Sequence, residues 1–337
     1  MQTQLDDGAQ QPLALSLSSI STFKTAKVFK DNAKPISSLS FDDTGELCVT
    51  SSSDESIHIY NCRQGTLEGT LFSKKYGVHL ARFTHRSSNV IYASTKDDDS
   101  LRYLSLHDNK YIRYFRGHKK KVISVEMSPL DDVFLSASLD ETIRLWDLRS
   151  SSCQGLLNVG GRPNIAFDPS GLTFAVGLNS NTIKIYDVKT FDKGPFATWN
   201  LSDHQSPQGF PTWTSLKFTN DGKNILITTA GNTHYLVDAF EGHLKQRYEG
   251  HIGLQSPDNG GCDAGLSPDG RFVFAGSQDG SLCVWDIENP SMDNQPIKQL
   301  RAEEAPLSCF GFNPRYTMMV TGHQQVSLWQ PSINMST

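Results

Sequence analysis

The chain has 337 residues, 31 Lys and Arg against 36 Asp and Glu, and a formal net charge of -5. That mildly acidic balance argues against bulk DNA binding, which uses a basic domain, and no apolar run approaches the length of a membrane-crossing helix. The length fits two average domains or one larger all-β domain.

Residues 1–12 are polar and acidic, so neither a secretory signal nor a fixed structure is expected there. Residues 13–22 read as a short helix or an irregular lead-in, and 1–22 together as a flexible lead. FKTAKVF (Phe23–Phe29) alternates and reads as a strand. A unit of three alternating runs with turns between them then recurs. Unit one (32–71) carries SSSDESIHIYN, with Asp54 in the turn and Tyr60 in the third run. Unit two (74–115) carries KDDDSLRYLSL, with Asp98 in the turn and Leu104 in the same slot. Unit three (117–147) is the best formed, GHKKKVISVEMSPLDDVFLSASLDETIRLWD, opening on Gly-His and closing on Trp146-Asp147, with a fourth run near 153–157. Unit four places Tyr186 in the slot and Ser180 in the turn; unit five places Val237 and Gly231. Unit six follows Gly250-His251 and carries Asp279 and Trp285; unit seven carries Trp329 and lacks an outer run.

The slots at 60, 104, 146, 186, 237, 285 and 329 recur every 40 to 51 residues, the spacing of four-stranded blades. The reading is an all-β fold, a seven-bladed WD-repeat β-propeller over 23–337. The spare strand Phe23–Phe29 supplies the outer strand that unit seven lacks and closes the ring, which removes exposed sheet edges. Two connections are long, 191–211 and 251–263, and long loops on a rigid scaffold tend to carry function.

The six cysteines show no CxxC spacing and read as free thiols of a reducing compartment, with Cys283 and Cys309 as small buried apolar residues. His and Cys fall in different units without metal-ligand spacing. Asp97, Asp98 and Asp99 form a turn cluster with too few oxygen ligands at fixed offsets for calcium. No phosphate loop of the GxxxxGK[ST] type occurs. No cofactor or metal is expected. His118, Ser136 and Asp140, with Trp146, combine the residue types of a Ser-His-Asp hydrolase. Their confinement to one repeat, and the absence of a GxSxG elbow, favour a hydrogen-bonded structural tetrad instead. The basic run from His118 to Lys121, with Lys74, Lys75 and Arg162, offers phosphate-binding chemistry, against the plainer reading of a solvated loop. Trp146-Asp147-Leu148-Arg149 matches the W-D-x-R pattern of propellers that dock to cullin-type ubiquitin ligase adaptors, a weak signal in blades that commonly end this way.

Four strings go further: SKKYGVHLARFTH (73–85), DDSLRYLSLHDNKYIRYFRGH (98–118), SLDETIRLWDLRSSSCQGL (138–156) and FDKGPFATW (191–199). They resemble the Swd-two type WD-repeat subunit family, known in animals as WD-repeat protein eighty-two. The resemblance runs over almost the whole chain after about residue 22. It implies a non-catalytic nuclear adaptor of the COMPASS-type histone H3 lysine 4 methyltransferase. It also implies assemblies with protein phosphatase 1, its regulatory scaffold and the cleavage and polyadenylation machinery, and a link to the phosphorylated tail of RNA polymerase II. Neither direct nucleic-acid contact nor a membrane is expected. The alternative is a substrate receptor of a cullin-type ubiquitin ligase. The family offers no catalytic residue to carry over. Propeller geometry nominates inter-blade and turn positions on one side of the disc for partner contact: Tyr76, Lys120, Leu139, Arg162, Asn179, Trp213 and Asp263. Phe196 and Trp199 in the first long connection are further candidates, as aromatics that either anchor a partner or pack against blades four and five.

Overall fold

Each unit forms an antiparallel sheet because its runs alternate apolar and polar residues at period two and are separated by tight turns. The computed structural model describes residues 15–206, 208–254, 263–302 and 306–332 and contains seven four-stranded sheets. Blades one to six take their strands consecutively, from 36–72, 79–115, 122–158, 163–200, 213–248 and 264–301. Blade seven has inner strands Cys309–Phe312, Met319–Gly322 and Val326–Pro331, and its outer strand is Phe23–Phe29. The register runs from Phe23 opposite Pro331 to Phe29 opposite Val326, with an irregularity between Thr25 and Lys27. Ring closure by the N-terminal strand therefore holds as the sequence implied.

No single core exists. The buried apolar residues fall into seven clusters, one in each seam between neighbouring blades. The periodicity explains this. The innermost strand of every blade ends on a large apolar residue at one register: Phe41, Phe83, Met127, Phe167, Phe218, Leu266 and Phe312. Each of them packs into the seam before its own blade, with that blade's third-strand slot residue (Tyr60, Leu104, Trp146, Tyr186, Val237, Trp285 or Trp329) in the same cluster. Stability is thus spread around a circle, and every seam depends on both neighbours being present.

Three features sharpen the sequence reading. Residues 15–22, read as part of a flexible lead, pack on the ring. Leu17–Ser21 is a short helix capped by Ser16, Leu15 and Ile20 are buried in the seam of blades six and seven, and the Leu15 amide donates to Asp269 Oδ2 at 2.9 Å. The first long connection contains a 3-10 turn, Phe191–Lys193, and the outer strand of blade four, Ala197–Asn200. Trp199 lies on that strand and packs in the seam of blades four and five, close over Gly242. Gly242 has φ +72, and any Cβ there would collide with the indole, so turn and contact both require glycine. Of the second long connection, 255–262 lies outside the described residues, and Cys262 with it; Cys48, Cys62, Cys153, Cys283 and Cys309 are free thiols.

Candidate functional site

In an antiparallel blade, the loops entering the innermost strand and the turns between the second and third strands lie at the same end. This upper face carries Tyr76 (73–78), Lys120 (116–121), Leu139 (139–141), Arg162 (159–162), Asn179 (179–181) and Asp263, so one side of the ring gathers most of the nominated positions. Their surroundings differ. Lys120 and Asn179 are exposed, and Leu139 is half-buried on the rim. Arg162 and Asp263 line a cavity of about 90 Å³ in the central channel, to which all seven blades contribute. Lys119 and Lys120 are exposed, as are Lys74 and Lys75 in the entry loop of the preceding blade, so the basic run lies on this face.

One nominated aromatic is corrected, and a second takes its alternative reading. Trp213 is 1% exposed, a core residue of the seam between blades four and five, beyond a partner's reach. Trp199 fills the same seam. Trp213 was placed on the surface because loop composition hid the start of the strand that carries it. Phe196 is 65% exposed, but it sits at the edge of blade four near the lower end, away from the upper-face set.

The unit-three quartet is a connected chain. The Trp146 indole donates to Ser136 Oγ at 2.8 Å, Ser136 Oγ lies 2.7 Å from His118 Nε2, and His118 Nδ1 lies 3.2 Å from Asp140 Oδ2. The network assigns the histidine proton to Nδ1, donating to the carboxylate, with the serine hydroxyl donating to Nε2. Asp140 also accepts from the Lys119 amide at 2.8 Å and from Thr142 Oγ1 at 2.6 Å. Burial pushes the Asp140 carboxyl up, yet these donors and His118 outweigh it and hold it at about 2. Burial lowers His118, so the ring stays neutral. Ser136 is 0% exposed, and its hydroxyl is held between an indole and an imidazole. No substrate can reach it, and the four residues tie the entry loop to the blade.

Blade two builds a different network, which the sequence reading missed. Leu104 stands in the Trp slot, and Tyr92 lies at the register of Ser136. Tyr92 Oη lies 2.9 Å from Ser73 Oγ and 3.0 Å from Tyr111 Oη. Arg102, two residues before the slot, is buried. Its Nε donates to Ser94 Oγ at 2.8 Å, and its terminal nitrogen donates to both Asp98 oxygens at 3.0 and 3.1 Å. The guanidinium sits 3.3 Å from the centroid of Tyr76, with Tyr114 at 5.1 Å. Tyr76 is therefore half of a cation–π clamp, with only its outer part available to a partner.

The channel holds charges that sequence spacing could not bring together. Lys217 Nζ lies 2.7 Å from Asp263 Oδ1, and Arg82 lies 3.8 Å from Glu126. At the channel mouth His79 is buried, and burial, with Lys121 and Arg82 nearby, holds it at about 3 and so neutral. Among the described residues no group of three His, Cys, Asp or Glu side chains converges as metal ligands.

Residues 23–61, 109–147 and 242–286 match the WD domain, G-beta repeat family. WD repeat-containing protein 82 of Drosophila melanogaster is 46% identical over 93% of this chain and 96% of its own length. Set1 complex component swd2 of Schizosaccharomyces pombe is 37% identical over 87% of this chain and 92% of its own. COMPASS component SWD2 of Saccharomyces cerevisiae is 36% identical over 91% and 95%.

Proposed function

The chain belongs to the family of WD repeat-containing protein 82 and Swd2, and from that premise we propose that it is a non-catalytic scaffold subunit of nuclear complexes acting in histone H3 lysine 4 methylation. The observation that carries this is end-to-end similarity to relatives named as Set1 complex and COMPASS components, at 92% and 95% of their own lengths. The geometry supports it. A rigid ring with loops gathered on one face orders an extended partner and brings it to an enzyme. Its one hydrolase-like quartet is sealed inside a blade. The upper-face positions Tyr76, Lys120, Leu139, Arg162, Asn179 and Asp263 are the proposed contact set. Methyltransferase subunits are the first proposed partners. Protein phosphatase 1 with its regulatory scaffold, the cleavage and polyadenylation factor and the phosphorylated polymerase tail are the others, which would extend the role to mRNA 3′-end processing and transcription termination. Nothing favours the ubiquitin-ligase alternative. Arg149, the basic residue of the W-D-x-R pattern, is bound to Asp147 through bonds of 2.9 and 2.7 Å, and Trp146 is buried.

Affinity purification of the tagged chain followed by mass spectrometry tests the reading. Methyltransferase subunits are the expected catch, and phosphatase with polyadenylation subunits would move the chain to the second assembly. Recovery of neither set would defeat the proposal.

A further inference from the structure

The central channel is divided by one charged layer. Arg82 and Glu126 line both the upper cavity and a lower hollow of about 550 Å³ at the opposite end, so they stand between the two. At the same register the other inner strands present Ser40, Ala166, Lys217, Gly265 and Gly311. Lys217 is engaged, at 2.7 Å from both Asp263 Oδ1 and the Ala264 carbonyl. Glu126 is not. Its nearest cation is Arg82 at 3.8 Å, beyond hydrogen-bond distance, and among the described residues no group donates to it. Its side chain is 34% exposed, facing the channel. That exposure leaves the carboxylate open to a donor entering along the channel. Burial pushes the Glu126 carboxyl up despite Arg82 and Lys217 nearby.

The lower hollow leads to this carboxylate from outside the ring. Phe41, Phe83, Met127, Pro129 and Pro314 supply apolar patches of its wall between Asp42, Asp43, Arg82, His85 and Arg315, with Glu126 at the inner end. The four turns around its mouth (42–46, 84–88, 128–132 and 313–318) carry five carboxylates against two arginines and one histidine. The two guanidinia lining the hollow already donate elsewhere: Arg315 Nε to the Asp43 carbonyl at 3.1 Å, and Arg82 to the Ala81 carbonyl at 3.2 Å. Apolar patches beside an undonated carboxylate, under turns with an excess of carboxylates, match a long side chain with an aliphatic stem and a cationic head.

We propose that the lower mouth of the channel is a docking site for a basic side chain, arginine or lysine, presented by an extended segment of a partner protein, with Glu126 as its acceptor. This site lies opposite the loop-rich upper face and is independent of which assembly the chain joins.

The test uses the full chain with [methyl-13C]methionine, the Met127 resonance being assigned through Met127→Leu. The probes are Nα-acetyl-argininamide and Nα-acetyl-lysinamide, with the citrulline analogue as neutral isostere and Nα-acetyl-glutamate amide as anionic control. The expected result is a saturable Met127 shift with the basic probes, at a Kd on the order of 1 mM. Glu126→Gln, which keeps the side-chain shape, is expected to weaken it roughly tenfold or more. The citrulline probe is expected to fail in the parent chain, which keeps the test decisive even if Glu126→Gln folds poorly. A Met127 signal that stays still, that moves equally with citrulline, or that moves with unchanged affinity in a folded Glu126→Gln chain would overturn the proposal. So would a response to the glutamate probe instead.

Discussion

Removing residues 1–29 is expected to abolish the fold. This segment supplies the outer strand of blade seven, paired with Val326–Pro331, and four buried apolar side chains: Leu15, Ile20, Phe23 and Phe29. Burying a large apolar side chain contributes about 1.5–3 kcal/mol, so the four together contribute roughly 6–12 kcal/mol. Total stabilities are only about 5–15 kcal/mol. The loss does not stay local, because the seams of blades six and seven and of seven and one both draw on this segment. Deletion also leaves Val326–Pro331 as an unpaired edge, which templates aggregation. Circular dichroism on heating would show no cooperative transition in the truncated chain, and size-exclusion chromatography would show aggregates. A soluble monomer melting within a few degrees of the parent would contradict this.

Arg102→Ala is expected to cost about 3 kcal/mol, since it deletes a buried side chain together with its charge-assisted hydrogen bonds. The change empties the space against Tyr76 and takes the donors from Asp98 and Ser94. Melting should fall by roughly 5–10 °C. Arg102→Lys should recover only part of the loss, because one ammonium cannot hold Ser94 and Asp98 from two separate nitrogens, nor stack on Tyr76 as a guanidinium does. An Ala variant melting within about 1 °C of the parent would show that blade two does not rely on this residue in the way blade three relies on its tetrad.

What the sequence revealed and hid follows from locality. The seven units were legible because each is built from contacts within about forty residues, with slot residues from Tyr60 to Trp329 marking the same seam position each time. The closing strand was legible by elimination, blade seven being one strand short. Ala197–Asn200 was hidden because it is four residues of half-buried edge after a Gly-Pro pair, with too few alternations to register. Trp213 looked like a loop aromatic, since the strand it opens could not be distinguished from the connection before it. Ile20 gave no signal because one helical turn has no periodicity. Arg102 was overlooked because an arginine beside an unremarkable Leu104 reads as surface, and only the fold brings Tyr76 over it. Convergence of Arg82, Glu126, Lys217 and Asp263 depends on the radial placement of blades two, three, five and six, which no local pattern encodes.

The central proposal is that this ring acts by holding partners and performs no chemistry itself. Reconstitution measures that directly, using a histone H3 lysine 4 methyltransferase complex purified without this subunit and assayed with and without the chain. The account predicts no methyl transfer or hydrolysis by the chain alone and a rise in methylation when it joins the complex. Turnover by the isolated chain, or a complex indifferent to its addition, would contradict it.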